Sequence, residues 1–168
     1  MDILLVDGYN VIGAWKEMQE LRTNDFAAAR SQLIDRMAEY QAYTGWKVVI
    51  IFDAHLVPGK ETILKQSRVE VIYTKENETA DERIERVIKK LKNVKTQIHV
   101  ATSDETEQWT VFSQGALRKS SRELLIELKN IEKQISLEVK HSRQKKTKSK
   151  IPLKKEIEEL FEKWRRGL

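Results

Sequence analysis

The chain has 168 residues, 40% of them hydrophobic, a formal net charge of +5 and no cysteine. That describes one domain with at most an appendage, enough apolar content for a core, and no disulfide, thiolate catalysis or zinc–thiolate site. No apolar stretch approaches the ~20 residues that span a bilayer, and no signal peptide is visible ahead of the first strand, so a cytoplasmic protein is expected.

Ile3 to Val6 is too short for a helix and too apolar for a half-exposed strand. It reads as a central strand buried on both faces and ending on Asp7. Gly8 would let the chain turn, and Asn10 tolerates unusual dihedrals; the competing reading is that Asp7 caps the next helix and DGYN is an ordinary turn. Residues 24–45 read as a helix started by Asn24 or Asp25 and stopped by Gly45, with Phe26, Ala29, Leu33, Met37 and Tyr40 at helical spacing. Val48 to Phe52 is a second buried strand, ending on Asp53. Residues 55–67, with Pro58-Gly59, read as a loop or short helix. Val69 to Tyr73 is a third strand. Thr79 and Glu82 form a capping box for a helix whose apolar face is Ala80, Ile84, Val87, Ile88 and Leu91. Ile98 to Ala101 is a fourth strand, ending near Asp104, and a helix follows through Trp109 and Phe112, which read as core. Past Gly115, a Ser120/Ser121 cap with Glu123 starts a long amphipathic helix from about 121 to 139.

Residues 139–168 carry 11 Lys/Arg against 4 Asp/Glu, and the rest of the chain 20 against 22. A near-neutral body with a basic tail favours an anionic polymer as partner, nucleic acid ahead of an acidic membrane surface or mere solubility. Residues 140–150 have no apolar face and read as a linker or loop. Pro152 opens a last helix, with Ile157, Leu160, Phe161 and Trp164 on one side to dock on the body or on a partner. The expected organisation is therefore a main domain over 1–139, a basic linker over 140–150 and a C-terminal helix over 151–168. Strands alternating with helices imply βαβ crossovers and a parallel sheet covered on both faces.

In such a sheet Asp7, Asp53 and Asp104 fall at one edge, and Asp81 sits in the first turn of a helix that starts there. Carboxylates gathered in this way repel one another unless something neutralises them. Oxygen-rich clusters suit hard cations such as Mg²⁺ or Mn²⁺, with Asn10 as a further oxygen ligand. Taken singly, Asp81 and Asp104 are helix N-terminal acids, Glu76 and Glu78 solvated charges, and Asp53 a strand end in solvent; the coincidence at one edge favours the metal. That site implies metal-assisted attack on a phosphate ester. GxxxxGK[ST] and GxGxxG are both absent, so no nucleotide cofactor is expected. Of the scattered histidines, His99 reads as packing within its strand and His55 as exposed.

The stretches DGYNVI, FDA, ETADERIE, ATSDETEQ and QGALRKSSREL resemble the YacP-like branch of the NYN-domain proteins over roughly 1–168. The resemblance implies a PIN-like three-layer α/β/α fold with a basic helical C-terminal extension, and a metal-dependent endoribonuclease in a branch that includes ribosome-associated enzymes cutting mRNA. By position it makes Asp7, Asp81 and Asp104 the metal-binding acids, supported by Asn10 and Asp53. Arg118, Lys119, Ser120 and Ser121 precede a helix N-terminus and form either a phosphate site or a capping box with two solvent charges; the resemblance favours RNA contact. Lys140, Arg143, Lys145, Lys146, Lys148 and Lys150 would each neutralise a phosphate and make binding salt-sensitive. No base-reading module is present, so single-strand recognition falls to stacking on Tyr9, Trp15 or Trp109, with Tyr9 nearest the acids. Metal-bound water attacking in line would leave a 5′-phosphate and a 3′-hydroxyl. The alternatives are a noncatalytic RNA- or ribosome-binding adaptor and a small-molecule phosphodiesterase.

Overall fold

The computed structural model describes residues 1–54, 62–66, 68–165 and 167, without the side chains of 62, 64–66, 145–158, 160, 161 and 164. The expectations for His55, Pro58-Gly59, the side chains of Lys145, Lys146, Lys148 and Lys150, and the apolar face of Ile157, Leu160, Phe161 and Trp164 lie outside the described residues.

Six strands, β1 (Asp2–Asp7), β2 (Lys47–Phe52), β3 (Thr62–Gln66), β4 (Val69–Tyr73), β5 (Gln97–Ala101) and β6 (Leu117–Lys119), form one sheet in the order β3-β4-β2-β1-β5-β6. Five are parallel; β3 alone runs antiparallel, on β4. The four strands expected from apolar runs are present. β3 falls in the segment read as a loop or short helix, and β6 in the lead-in to the last long helix. Both are edge strands, which need no long apolar run because one side of the ladder and much of one face stay wet.

The helices are α1 (Gly8–Ala14), α2 (Gln19–Asn24), α3 (Phe26–Thr44), α4 (Ala80–Leu91), α5 (Glu105–Ser113) and α6 (Ser121–Arg165). β1 pairs with β2 and β5, placing it at the middle of the sheet, and alternation sends its side chains to opposite faces. Ile3 and Leu5 join Val49, Ile51, Ile98 and Val100 beneath Ala80, Ile84 and Ile88 of α4 and Val111 of α5. Leu4, Val6, Val48, Ile50 and Phe52 are buried on the other face, where α3, carrying buried Leu33, Ile34, Met37 and Tyr40, lies against β2 and β4. Burying each such side chain is worth about 1.5–3 kcal/mol, so the two-faced apolar pattern fixes where β1 ends and thus where Asp7 stands. Trp15 is also wholly buried, its indole Nε1 donating to the Ser121 carbonyl at 2.7 Å, and is not free to stack on a base.

Two expectations differ from the structure at the ends of elements. DGYN is not a turn: Asp7 is the N-cap residue of α1, and Gly8 and Asn10 are helical. The expected break at 140–150 is absent, because α6 runs from Ser121 to Arg165; lysine, arginine and glutamine propagate a helix well without an apolar face. By its contacts the chain divides into Met1–Leu128 and Lys129–Leu168.

Candidate metal centre

The parallel strands bring their carboxyl ends to one edge, and three acids meet there. Carboxylate oxygens of Asp7, Asp81 and Glu107 all lie within 4.8 Å of one another. Asp7 comes from the end of β1, Asp81 from the first turn of α4, and Glu107 from the first turn of α5. Asp7 and Glu107 are buried, whereas Asp81 reaches solvent and leaves the cluster open on one side.

Each acid is seated by its surroundings. Gly8 is needed beside Asp7 for space rather than for a turn: a Cβ there would stand 2.3 Å from the Phe52 ring, which packs between Tyr9 at 5.0 Å and Tyr73 at 5.5 Å. The α4 N-terminus is held from three sides. Thr79 accepts from Glu82 N–H, Asp53 accepts from Ala80 N–H at 3.4 Å, and Glu78 pairs with Arg83 at 2.8 Å and with Arg86. Glu78 is thus a buried ion-pair partner, not the solvated charge expected; two guanidiniums repay its desolvation. Asn10 Oδ1 accepts from Ser103 N–H at 2.6 Å and from Ser121 Oγ at 3.4 Å, fastening the β5–α5 connection beside the acids.

Electrostatics at this cluster are strained. Burial, aided by the charges of Asp81 and Asp104, pushes Asp7 from 3.8 to about 6, against hydrogen bonds from Glu107 and the Asn10 N–H. Burial first, then the charge of Asp7 and hydrogen bonding to Asp81 and Asp7, pushes Glu107 from 4.5 to about 10. Glu107 Oε2 accepts from Thr102 Oγ1 at 3.0 Å, but its buried Oε1 meets no N–H or hydroxyl donor and is left to the neighbouring carboxyls. Three carboxyls this close, one of whose oxygens has no N–H or hydroxyl donor, form a donor set of the kind a hard divalent cation satisfies. The residues therefore fit such an ion, held by Asp7, Asp81 and Glu107.

Glu107 was not among the expected ligands, and Asp104 was. Asp104 also caps α5, its Oδ1 accepting from Thr106 N–H at 3.0 Å and Glu107 N–H at 3.4 Å, and it stands close enough for its charge to act on Asp7. The signal for Glu107 was its place three residues after Asp104, on the α5 face that also carries buried Val111. Asp53 and Asn10 act as braces, through Ala80 and Ser103.

The expected RNA contacts are dispersed. Tyr9 is half-buried; its hydroxyl accepts from Arg30 at 3.0 Å and its ring meets Phe26 edge-on. Ser120 accepts from Glu123 N–H, capping α6, and Ser121 is wholly buried. Lys119 pairs with Glu127 and lies over Trp46, 5.0 Å from the ring centre. Arg118 faces an open cavity, and Lys140 and Arg143 are exposed on α6. Trp109 and Phe112, expected in the core, are 74% and 60% exposed; the inward face of α5 is taken by Glu107, Gln108 and Val111.

A mostly parallel sheet between helical layers, with an acidic cluster at its carboxyl edge, defines a PIN-like α/β protein. The description "YacP-like NYN domain" matches residues 4–166, and the chain belongs to that family. It is 59% identical to Uncharacterized protein YacP of Bacillus subtilis (strain 168) over 167 residues, 99% of this chain and 98% of the relative. The crystal structure of Rae1 (YacP) from Bacillus subtilis superposes with a TM-score of 0.77 at 59% identity, over 99% of this chain and 96% of that one. Its W164L mutant gives 0.76 at 58% identity, over 84% and 83%.

Proposed function

We propose that this protein is a metal-dependent endoribonuclease, cutting phosphodiester bonds in RNA, with mRNA on the cytoplasmic ribosome as the substrate that the family resemblance suggests. The observation that carries the reading is the Asp7–Asp81–Glu107 cluster, buried at Asp7 and Glu107, with no N–H or hydroxyl donor on Glu107 Oε1. A bound Mg²⁺ or Mn²⁺ would neutralise charge on the scissile phosphate and lower the pKa of the attacking water. Asp7 and Glu107, seated on rigid elements and largely shielded from water, orient the negative field of the site. Asp81, at the open side, is the acid a phosphodiester would approach. The braces on α4 and at Ser103 keep the three within reach of a common ligand, the preorganisation on which phosphoryl chemistry depends. The basic residues of α6, with Arg118, supply sequence-independent attraction to the RNA backbone.

The test is cleavage of naked RNA and of translated mRNA by purified protein with Mg²⁺ or Mn²⁺. Wild type should cut one or both, while Asp7→Asn, Asp81→Asn and Glu107→Gln should not. Unchanged cleavage by these variants overturns the metal mechanism. Binding without cleavage of either substrate points to an adaptor, and turnover of a chromogenic phosphodiester without RNA cleavage points to a small-molecule enzyme.

A further inference from the structure

On the face of α5 away from Glu107 lies a cavity of about 520 Å³ lined by Glu105, Gln108, Trp109, Phe112 and Arg118. Trp109 and Phe112 are three residues apart, so their rings share one face of the helix, and they are mostly solvent-exposed. Two large aromatic side chains left in water on the helix that carries Glu107 have no part in the core and call for a ligand. Arg118 crosses from β6 and donates to Gln108 Oε1 at 3.0 Å; among the described residues no carboxylate pairs with it. Gln108 is itself locked, donating to the Thr102 carbonyl at 2.8 Å. The aromatic wall and the cation are thus fixed to the turn that also positions Glu107.

We propose that this cavity receives a base of single-stranded RNA flanking the cut, stacked on Trp109 and Phe112 with its phosphate near Arg118; this rests on the endoribonuclease reading above. The chemistry matches: aromatic rings offer stacking to any base, and a guanidinium beside them offers a charge-assisted bond to phosphate. The volume is that of a small-ligand pocket rather than of a protein–protein footprint. The placement also matches, because Trp109 follows Glu107 by two residues on α5, so one short helix carries both the groove and an acid of the cluster.

Binding of a short fluorescent single-stranded RNA, measured by anisotropy in EDTA so that no strand is cut, tests this independently of catalysis. Trp109→Ala in the full chain should weaken binding by about fivefold or more, the loss of one stacked base. Trp109→Phe should retain most of the affinity, and Phe112→Ala should act in the same direction as Trp109→Ala. Arg118→Ala should lower the salt dependence by about one phosphate contact, whereas Trp109→Ala should leave it unchanged. An RNA with abasic positions should erase the difference between wild type and Trp109→Ala. Wild-type affinity in Trp109→Ala and Phe112→Ala, or an equal loss with abasic RNA, overturns the proposal and leaves the face to a protein partner. Such a failure with Asp7→Asn still inactive would spare the nuclease reading; active Asp7→Asn with weakened Trp109→Ala binding would spare the base site alone.

Discussion

Replacing Glu107 with glutamine should stabilise the metal-free protein while abolishing the cleavage proposed above. Folded, Glu107 holds its proton up to about pH 10, against 4.5 for an ordinary glutamate. Between those values the folded chain keeps a proton that the unfolded chain has released, so stability falls as pH rises. At pH 7 this has run for about 2.5 pH units, which at 1.36 kcal/mol each is about 3 kcal/mol. Glutamine keeps the acceptor for Thr102 Oγ1, carries no charge, and can give its amide hydrogens to Asp7 or Asp81. In EDTA at pH 7 the variant should therefore unfold later than wild type, by about 2–4 °C for each kcal/mol regained. Calorimetry from pH 5 to 8 is the assay: wild type should lose stability steadily, and Glu107→Gln should flatten above pH 6, where Asp7, titrating at about 6, has finished. Added Mn²⁺ should raise the melting temperature of wild type, more at higher pH because loading displaces protons, and should leave the variant almost unmoved. A wild type with no pH slope, or a variant that melts earlier throughout, would refute the idea that mutual repulsion in a dry site governs this residue.

Gly8→Ala should cost about 1–3 kcal/mol by overpacking, since the new methyl meets the confined Phe52 ring; urea unfolding measures it, and an unchanged midpoint would deny the close approach. Glu78→Ala should destabilise by about 3–5 kcal/mol, because it removes the carboxylate that faces the buried guanidinium of Arg83. Burial opposes the Glu78 charge, but hydrogen bonds from Arg83, the Lys75 N–H and Arg86 outweigh it and hold its pKa low. That contribution is complete above the ordinary glutamate range and is lost as acid reaches the lower folded value, so the variant should lack this part of the wild type's acid transition. Asp104→Ala should cost about 1 kcal/mol as a lost helix cap while Asp104→Asn melts like wild type; a cleavage defect in Asp104→Asn without a stability defect would return Asp104 to the ligands.

The central strands, β4, α3, α4 and the start of α6 were legible because their patterns are strong: continuous apolar runs, a capping box over α4, a glycine stop after α3. The gathering of Asp7 and Asp81 followed from strand direction alone. What escaped notice depends on contacts distant in sequence. Glu107 stands where a helix-start acid ordinarily does, and only the approach of β1 and α4 gives it a second meaning. Glu78 resembles any loop glutamate until Arg83 and Arg86 fold back on it. Trp109 and Phe112 read as core because aromatics usually are, yet their face of α5 is turned outward by the burial of Glu107 and Val111. The short β6 has too few residues to carry a periodicity.

The place of β1 has a bearing on how the molecule comes into being. Its neighbours in the ladder, β2 and β5, begin at Lys47 and Gln97, and the last acid of the cluster is at 107. A nascent chain growing in one direction can pair this apolar strand with β2 early but must leave its other edge open until β5 has emerged, a non-local step that completes late and invites chaperone capture. Until then no fragment possesses the joined acids, so a polypeptide interrupted before that point would lack the candidate metal centre.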